Sequence, residues 1–219
     1  LNLRKLILKY QYRSDKHDLI SEFFLPCLSN SIIYERCIEY VTIKSLITLS
    51  FGFQNFNDKN AMIKIITGNK FRSSDLNILS KLFYHQKINS NDKDIVKNDK
   101  LNMLQYIINN KKFKLKIAIP RSEKLDGVFA EKMGIFKDVH NNIVAFIGTS
   151  NEAFDYQSRN FESIDVFTSW ADKSRINIKT KDFDELWNNK IKYVRVYDFL
   201  EAEKKSLLKY AVDWATNTS

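Results

Sequence analysis

The sequence predicts an α/β fold with a mostly parallel or mixed sheet, and three observations carry that prediction. Short apolar runs rich in β-branched and aromatic residues alternate along the chain with segments of helical periodicity. The composition is globular, 44% hydrophobic and 13% aromatic over 219 residues, enough for one domain with a sizeable core. No internal repeat or low-complexity tract breaks the pattern.

The elements follow in order. Ser14 reads as an N-cap, with Asp15 and Asp18 in the first turn and Leu19, Ile20, Phe23 and Phe24 at helical spacing. That helix is expected to run to Leu28, distorted by Pro26. Residues 33–42 read as a strand and 43–54 as a helix. The run MIKIIT at 62–67 is a short buried strand closed by Gly68. Ser74 opens a helix carrying Leu76, Ile78, Leu79 and Leu82. The polar stretch 87–99 reads as a solvated loop, 100–110 as a helix and 113–119 as a strand.

Pro120 begins a turn-rich loop ending at Gly127. Strands are expected at 128–137 and 142–148, joined through the short polar connection at 138–141 as a hairpin. Residues 150–160 form a loop or short helix, and 162–170 a further strand. A helix near 181–189, a strand at 193–197 and a helix at 201–214 complete the chain.

Charge narrows the partners. The net charge of +9 favours a polyanion, because a lysine-rich surface concentrates phosphate ligands. Lysine scattered among many Asn and Ile can also be plain composition bias. Cys27 and Cys37 have no metal-ligand spacing and read as buried free thiols, which suits a cytoplasmic compartment. No apolar run approaches the ~20 residues of a membrane helix, and the charged N-terminus does not read as a signal peptide. The chain starts with Leu rather than Met, as an excised domain or a processed or trimmed N-terminus would. His17, His85 and His140 pair with no Cys or carboxylate at ligand spacing, and no Walker A loop or GxGxxG is present, so neither metal nor cofactor is expected.

The chemistry concentrates between 128 and 170. Lys132 lies on one expected strand, Gly148, Thr149 and Asn151 follow the next, and Glu162 opens a third. Each alone has an ordinary reading: a solvated lysine, a turn, a surface acid. The order and spacing together carry the signal.

This stretch resembles the phospholipase D superfamily motif, in which His-x-Lys on one strand is followed by Gly-Ser/Thr-x-Asn after the next and by an acid about ten residues later. Its wording, FAEKMGIF, then GTSNEA, then NFESIDVFTSW, is most similar to the subfamily found in restriction-type nucleases and fused to DEAD/DEAH helicases. The resemblance extends to YRSDKHDLISEFFLP near the N-terminus and to the later Leu186 and Trp187, and so spans most of the chain. It implies a phospholipase D-like mixed sheet flanked by helices on both faces, in one domain over 1–219. It further implies a metal-independent DNA endonuclease of a restriction or phage-defence system, dimeric across its active site and associated with a helicase.

One position departs from the motif: the nucleophilic histidine falls on Ala130. An imidazole missing from an otherwise intact motif looks like a deliberate, engineered inactivating substitution, since a decayed site loses several polar groups. A natural pseudoenzyme that grips phosphate without cutting is the alternative. A lipid phosphodiesterase is disfavoured, with no amphipathic surface helix in the sequence.

Strand geometry assigns the roles the resemblance implies. Positions 130 and 132 share one face, with Phe129, Glu131 and Met133 on the other. A histidine at 130 would form a covalent phosphohistidine. Lys132 and Asn151 would donate to the non-bridging oxygens, helped by Thr149. Glu162 would accept from the far imidazole nitrogen and fix its tautomer. Glu152, Tyr156 and Arg159, just after the motif, are candidate nucleic-acid contacts, and Phe154 and Phe161 could stack on bases or simply pack in the core.

Overall fold

A computed structural model describes residues 1–55, 57–88, 98–121, 127–148 and 161–210. In chain order the strands are β1 (Gln11–Arg13), β2 (Ile33–Ile38), β3 (Met62–Thr67), β4 (Lys70–Phe71), β5 (Phe113–Pro120), β6 (Met133–Lys137), β7 (Ile143–Gly148), β8 (Ser163–Thr168), β9 (Val194–Asp198) and β10 (Lys209–Tyr210). The helices are α1 (Leu25–Ser29), α2 (Ile43–Gly52), α3 (Ser73–Phe83), α4 (Asn98–Asn109), α5 (Lys173–Trp187) and α6 (Phe199–Lys204).

Eight strands form one mixed sheet in the order β1-β8-β7-β6-β2-β3-β5-β9. At its centre β2, β3 and β5 run parallel, and β6, β7, β8 and β1 continue antiparallel on one side. Parallel strands need crossovers, and α2, α3 and α4 supply them on one face. The α/β prediction and the flanking of both faces hold. Apolar residues of α1 through α4 and α6 cover one face, and Ile176, Phe183 and Leu186 of α5 cover the other.

Alternation along each strand sorts the two cores. Tyr34 and Ile38 of β2 belong to the first, and Cys37 of the same strand belongs to the second. In the first core Tyr34 stacks on Phe136 at 4.7 Å, and Phe23 meets Phe136 and Phe146 edge-on at 5.8 and 5.4 Å. Gly134 makes room for this cluster: a Cβ there would lie 2.2 Å from the Phe146 ring. Cys27 and Cys37 are buried and free, as their apolar contexts indicate.

Several expected elements are displaced. The helix expected from Ser14 to Leu28 is instead strand β1, a turn, a π-helical turn over Ile20–Phe24 and then α1. Ser14 does not cap it, because its hydroxyl accepts from Glu162 N at 2.9 Å. Asp18 takes the capping role, accepting from Ile20 N at 3.1 Å. The wide π turn delivers the chain to Pro26, which has no N–H to continue an ordinary ladder. The strand expected over 33–42 stops at Ile38, because Thr42 and Ser45 form a capping box that starts α2.

The expected solvated loop at 87–99 overlaps the start of α4, and residues 89–97 lie outside the described residues. The strand expected from 128 begins only at Met133. The helix expected near 181–189 is longer at its start, running from Lys173 to Trp187. Its polar first half meets the sheet through Ile176. The helix expected over 201–214 ends at Lys204: Ser206 takes a left-handed φ of 55°, and Leu207 N returns to Ala202 O. Lys209 and Tyr210 then pair with β4, and residues 211–219 lie outside the described residues.

Candidate active site

The sheet topology brings Lys132, Gly148 and Glu162 to one edge. Because β6 runs antiparallel to β2, the start of β6 lies beside the end of β2. The end of β7 and the start of β8 fall at that same edge, where β2, β3 and β5 also end. Open α/β sheets hold their ligands at this carboxyl edge.

Lys132 occupies the residue just before β6, and its carbonyl accepts from Gly148 N at 3.3 Å. Its ammonium lies 3.3 Å from a carboxylate oxygen of Glu39, the residue just after β2. Gly148 pairs with Ile164, and Ile164 with Tyr12 of β1, so one register row runs from Lys132 to the sheet's outer strand. Glu162 precedes β8 and is pinned from both sides: its N–H donates to Ser14 Oγ, and its carbonyl accepts from Ser14 N, both at 2.9 Å. Lys132 shares its row with Ile164, two residues beyond Glu162, so two strand spacings and two residues along the chain, about 12 Å in all, separate the Lys132 and Glu162 backbones.

Gly148 shapes the exit from β7. Its φ is +147°, and a Cβ there would lie 2.1 Å from Ser163 O. Only glycine allows the chain to pass so close to β8 in this conformation. Thr149 and Asn151 follow Gly148 in the sequence and lie outside the described residues, as do Glu152, Phe154, Tyr156 and Arg159.

Ala130 is exposed and lines a cavity of about 380 Å³ together with Glu131, Asp182 and Leu186, a cavity that Lys132 does not line; the alternation expected of residues 129–133 does not hold there, because the strand begins only at Met133. Phe129 and Met133 belong to the core under α5. Burial raises the Glu131 carboxyl above its ordinary pKa, against the pull of Lys179, with Asp182 adding to the rise. Phe161 is largely exposed, and the Arg13 guanidinium sits 5.2 Å from its ring centre.

Two partners of the motif carried no local signal. Glu39 reaches Lys132 only through the β2–β6 pairing. Ser14, read as a helix cap, instead fixes Glu162. Beneath them Arg36 is fully buried, one strand residue pair back from the edge, with its guanidinium 4.7 Å from the centre of the Phe146 ring. Of the histidines, His17 accepts from Arg13 N through Nδ1 at 3.2 Å. His85 pairs with Asn109, and His140 is exposed in the hairpin turn.

No family model matches the chain, and no curated protein matches it. Among solved structures, NucT from Helicobacter pylori aligns with a TM-score of 0.47 at 11% identity, over 80% of this chain and 94% of NucT. TrmBL2, described as an archaeal chromatin protein with a novel mode of DNA binding, aligns with a TM-score of 0.43 at 15% identity. That alignment covers 85% of this chain and 55% of TrmBL2. No helix among the described residues is long and apolar enough to cross a membrane.

Proposed function

We propose that this chain is a phospholipase D-type phosphodiesterase domain acting on DNA, with Ala130 at the position of its nucleophilic histidine. The observation that carries the reading is the shared sheet edge. Lys132, Gly148 and Glu162, spread over three strands, end at one place, and Lys132 is held there by Glu39. In the proposed reaction a histidine at 130 attacks phosphorus, and the P–O bond to the leaving oxygen breaks as the covalent phosphohistidine forms. Water then hydrolyses that bond. Lys132 and Asn151 stabilise charge on the non-bridging oxygens, and Glu162 holds the imidazole's far nitrogen.

One motif supplies one histidine, and the mechanism needs a second group to protonate the leaving oxygen. A two-fold dimer that sets two motifs face to face provides it. A helicase partner, and a restriction or defence role, belong to the same proposal. The second reading is a phosphate-binding pseudoenzyme, favoured by the methyl group that stands at position 130.

The test is cleavage of a labelled duplex by Ala130→His and by the chain as it is, each with and without EDTA, alongside light scattering. The expected result is cutting by the histidine form alone, unaffected by chelator, from a dimer. Loss of the nucleophile in such a unit costs on the order of a millionfold. A dimeric, DNA-bound histidine form that cuts nothing would establish the pseudoenzyme reading, and cutting only with added magnesium would overturn the phosphohistidine.

A further inference from the structure

A second cavity adjoins the Lys132–Glu39 pair on the side of β3. It encloses about 450 Å³ between the segment that follows β2, the turn from β3 into α3, and Val128. Glu39 belongs both to its wall and to the ion pair with Lys132. We propose that this cavity is a nucleotide subsite: it takes the base and sugar of one residue of a nucleic-acid strand, while Lys70 and Arg72 hold the adjoining phosphate. That the strand continues to a scissile phosphate at Lys132 rests on the phosphodiesterase reading, whereas nucleotide binding in the cavity does not.

Size and lining support the assignment. Pockets for small organic ligands fall at roughly 300–1,000 Å³, mostly apolar with a few placed polar groups. Val41, Phe71 and Val128 supply apolar wall, and Tyr40, more than a third exposed, offers a ring on which a base can stack. Lys70 and Arg72 line the cavity and are exposed, as phosphate-binding cations at a rim must be. Asp75 also lines the cavity. It is buried, and one of its oxygens accepts from Ile43 N at 3.0 Å, which locks the carboxylate in place. A carboxylate has further lone pairs, and these suit the amino group of a base.

Continuity sets the path of the strand. The cavity and the motif share Glu39, so a strand whose base enters the cavity has its next phosphate beside Lys132. The cations of the two sites then hold successive phosphates, and unstacking one base into a pocket is the means by which enzymes grip a single nucleotide.

The experiment is a titration of the whole isotope-labelled chain, followed by amide NMR, with three probes: a deoxynucleoside 5′-monophosphate, inorganic phosphate and a short single-stranded oligonucleotide. The mononucleotide should shift signals from residues 39–42 and 68–75, and the oligonucleotide should compete for them. Arg72→Ala should weaken the mononucleotide by about tenfold, and Tyr40→Ala should weaken it while leaving phosphate unchanged. Both side chains are exposed, so both variants keep the fold, and their spectra verify it.

Equal affinity for phosphate and mononucleotide, no shifts at these residues, or no effect of Arg72→Ala would each overturn the subsite. A mononucleotide that binds but is not displaced by the oligonucleotide would overturn its place on a strand. Cleavage by Ala130→His with no nucleotide in this cavity sinks this inference alone. Nucleotide binding here with no cleavage sinks the phosphodiesterase reading alone.

Discussion

Lys132 and Glu39 form an ion pair with 3.3 Å between ammonium nitrogen and carboxylate oxygen, and their strands bring them together from distant parts of the chain. The pair is partly exposed, with 22% of the lysine side chain and 37% of the glutamate side chain accessible. A pair so exposed contributes ~1 kcal/mol or less, which a phosphate can displace. Glu39→Gln is therefore expected to raise DNA affinity by a few fold at low salt. Lys132→Ala should lower it and reduce the slope of log affinity against log salt by about one. Fluorescence anisotropy across a salt series measures both. An unchanged slope for Lys132→Ala would remove Lys132 from the phosphate site.

Gly148→Ala should damage both fold and site. The new methyl would meet Ser163 O at 2.1 Å and the Ile164 Cα at 2.8 Å, in a backbone conformation that favours glycine. We expect a loss of about 3 kcal/mol or more in urea unfolding. A loss under ~0.5 kcal/mol would show that β7 and β8 separate at no cost, contrary to their packing here.

Asp138 and Glu131 should give opposite pH signatures. Asp138 is buried and accepts from Leu3 N, His140 N, Asn142 N and Asn142 Nδ2 at 2.8–2.9 Å. Burial alone would raise its pKa, but these bonds outweigh burial and hold it below the ordinary 3.8. Its stabilising contribution is present above the unfolded value and is lost as pH falls through the depressed folded value. Asp138→Ala should cost about 2 kcal/mol at pH 7 and abolish that acid-side loss. Glu131 is raised above 4.5 by burial, so its contribution is full below the unfolded value and falls as pH rises through the folded one. Glu131→Gln should remove that decline. Thermal unfolding from pH 2.5 to 7 tests both, and matching profiles for the two variants would refute the assignment.

Gly134→Ala places a Cβ within 2.2–2.4 Å of the Phe146 ring, in the middle of the aromatic cluster between Phe23, Phe24 and Phe136. The ring must swing and disturb the seat of the Arg36 guanidinium. The expected cost is about 1–3 kcal/mol, read by urea unfolding with near-UV circular dichroism to register the aromatic change. Retained stability with an unaltered spectrum would contradict the packing.

What the sequence determined by itself is what local pattern can carry. The apolar run Met62–Thr67, the hairpin between β6 and β7, and β8 after Glu162 all lie where residue type and spacing put them, because β-branched runs and turn chemistry act over a few residues. The order of Lys132, Gly148 and Glu162 was legible for the same reason, as a short pattern on consecutive strands. Tertiary structure decided the rest. Gln11–Arg13 is too short to announce a strand and becomes one by pairing with β8, which diverts Ser14 from capping a helix to holding Glu162. Lys209–Tyr210 likewise leaves the expected helix to pair with β4. Glu39 joins Lys132 only because β6 returns antiparallel along β2, and the second cavity opens where the segments after β2 and β3 come together. Pairing between distant segments depends on the path of the whole chain, and no window of residues contains it.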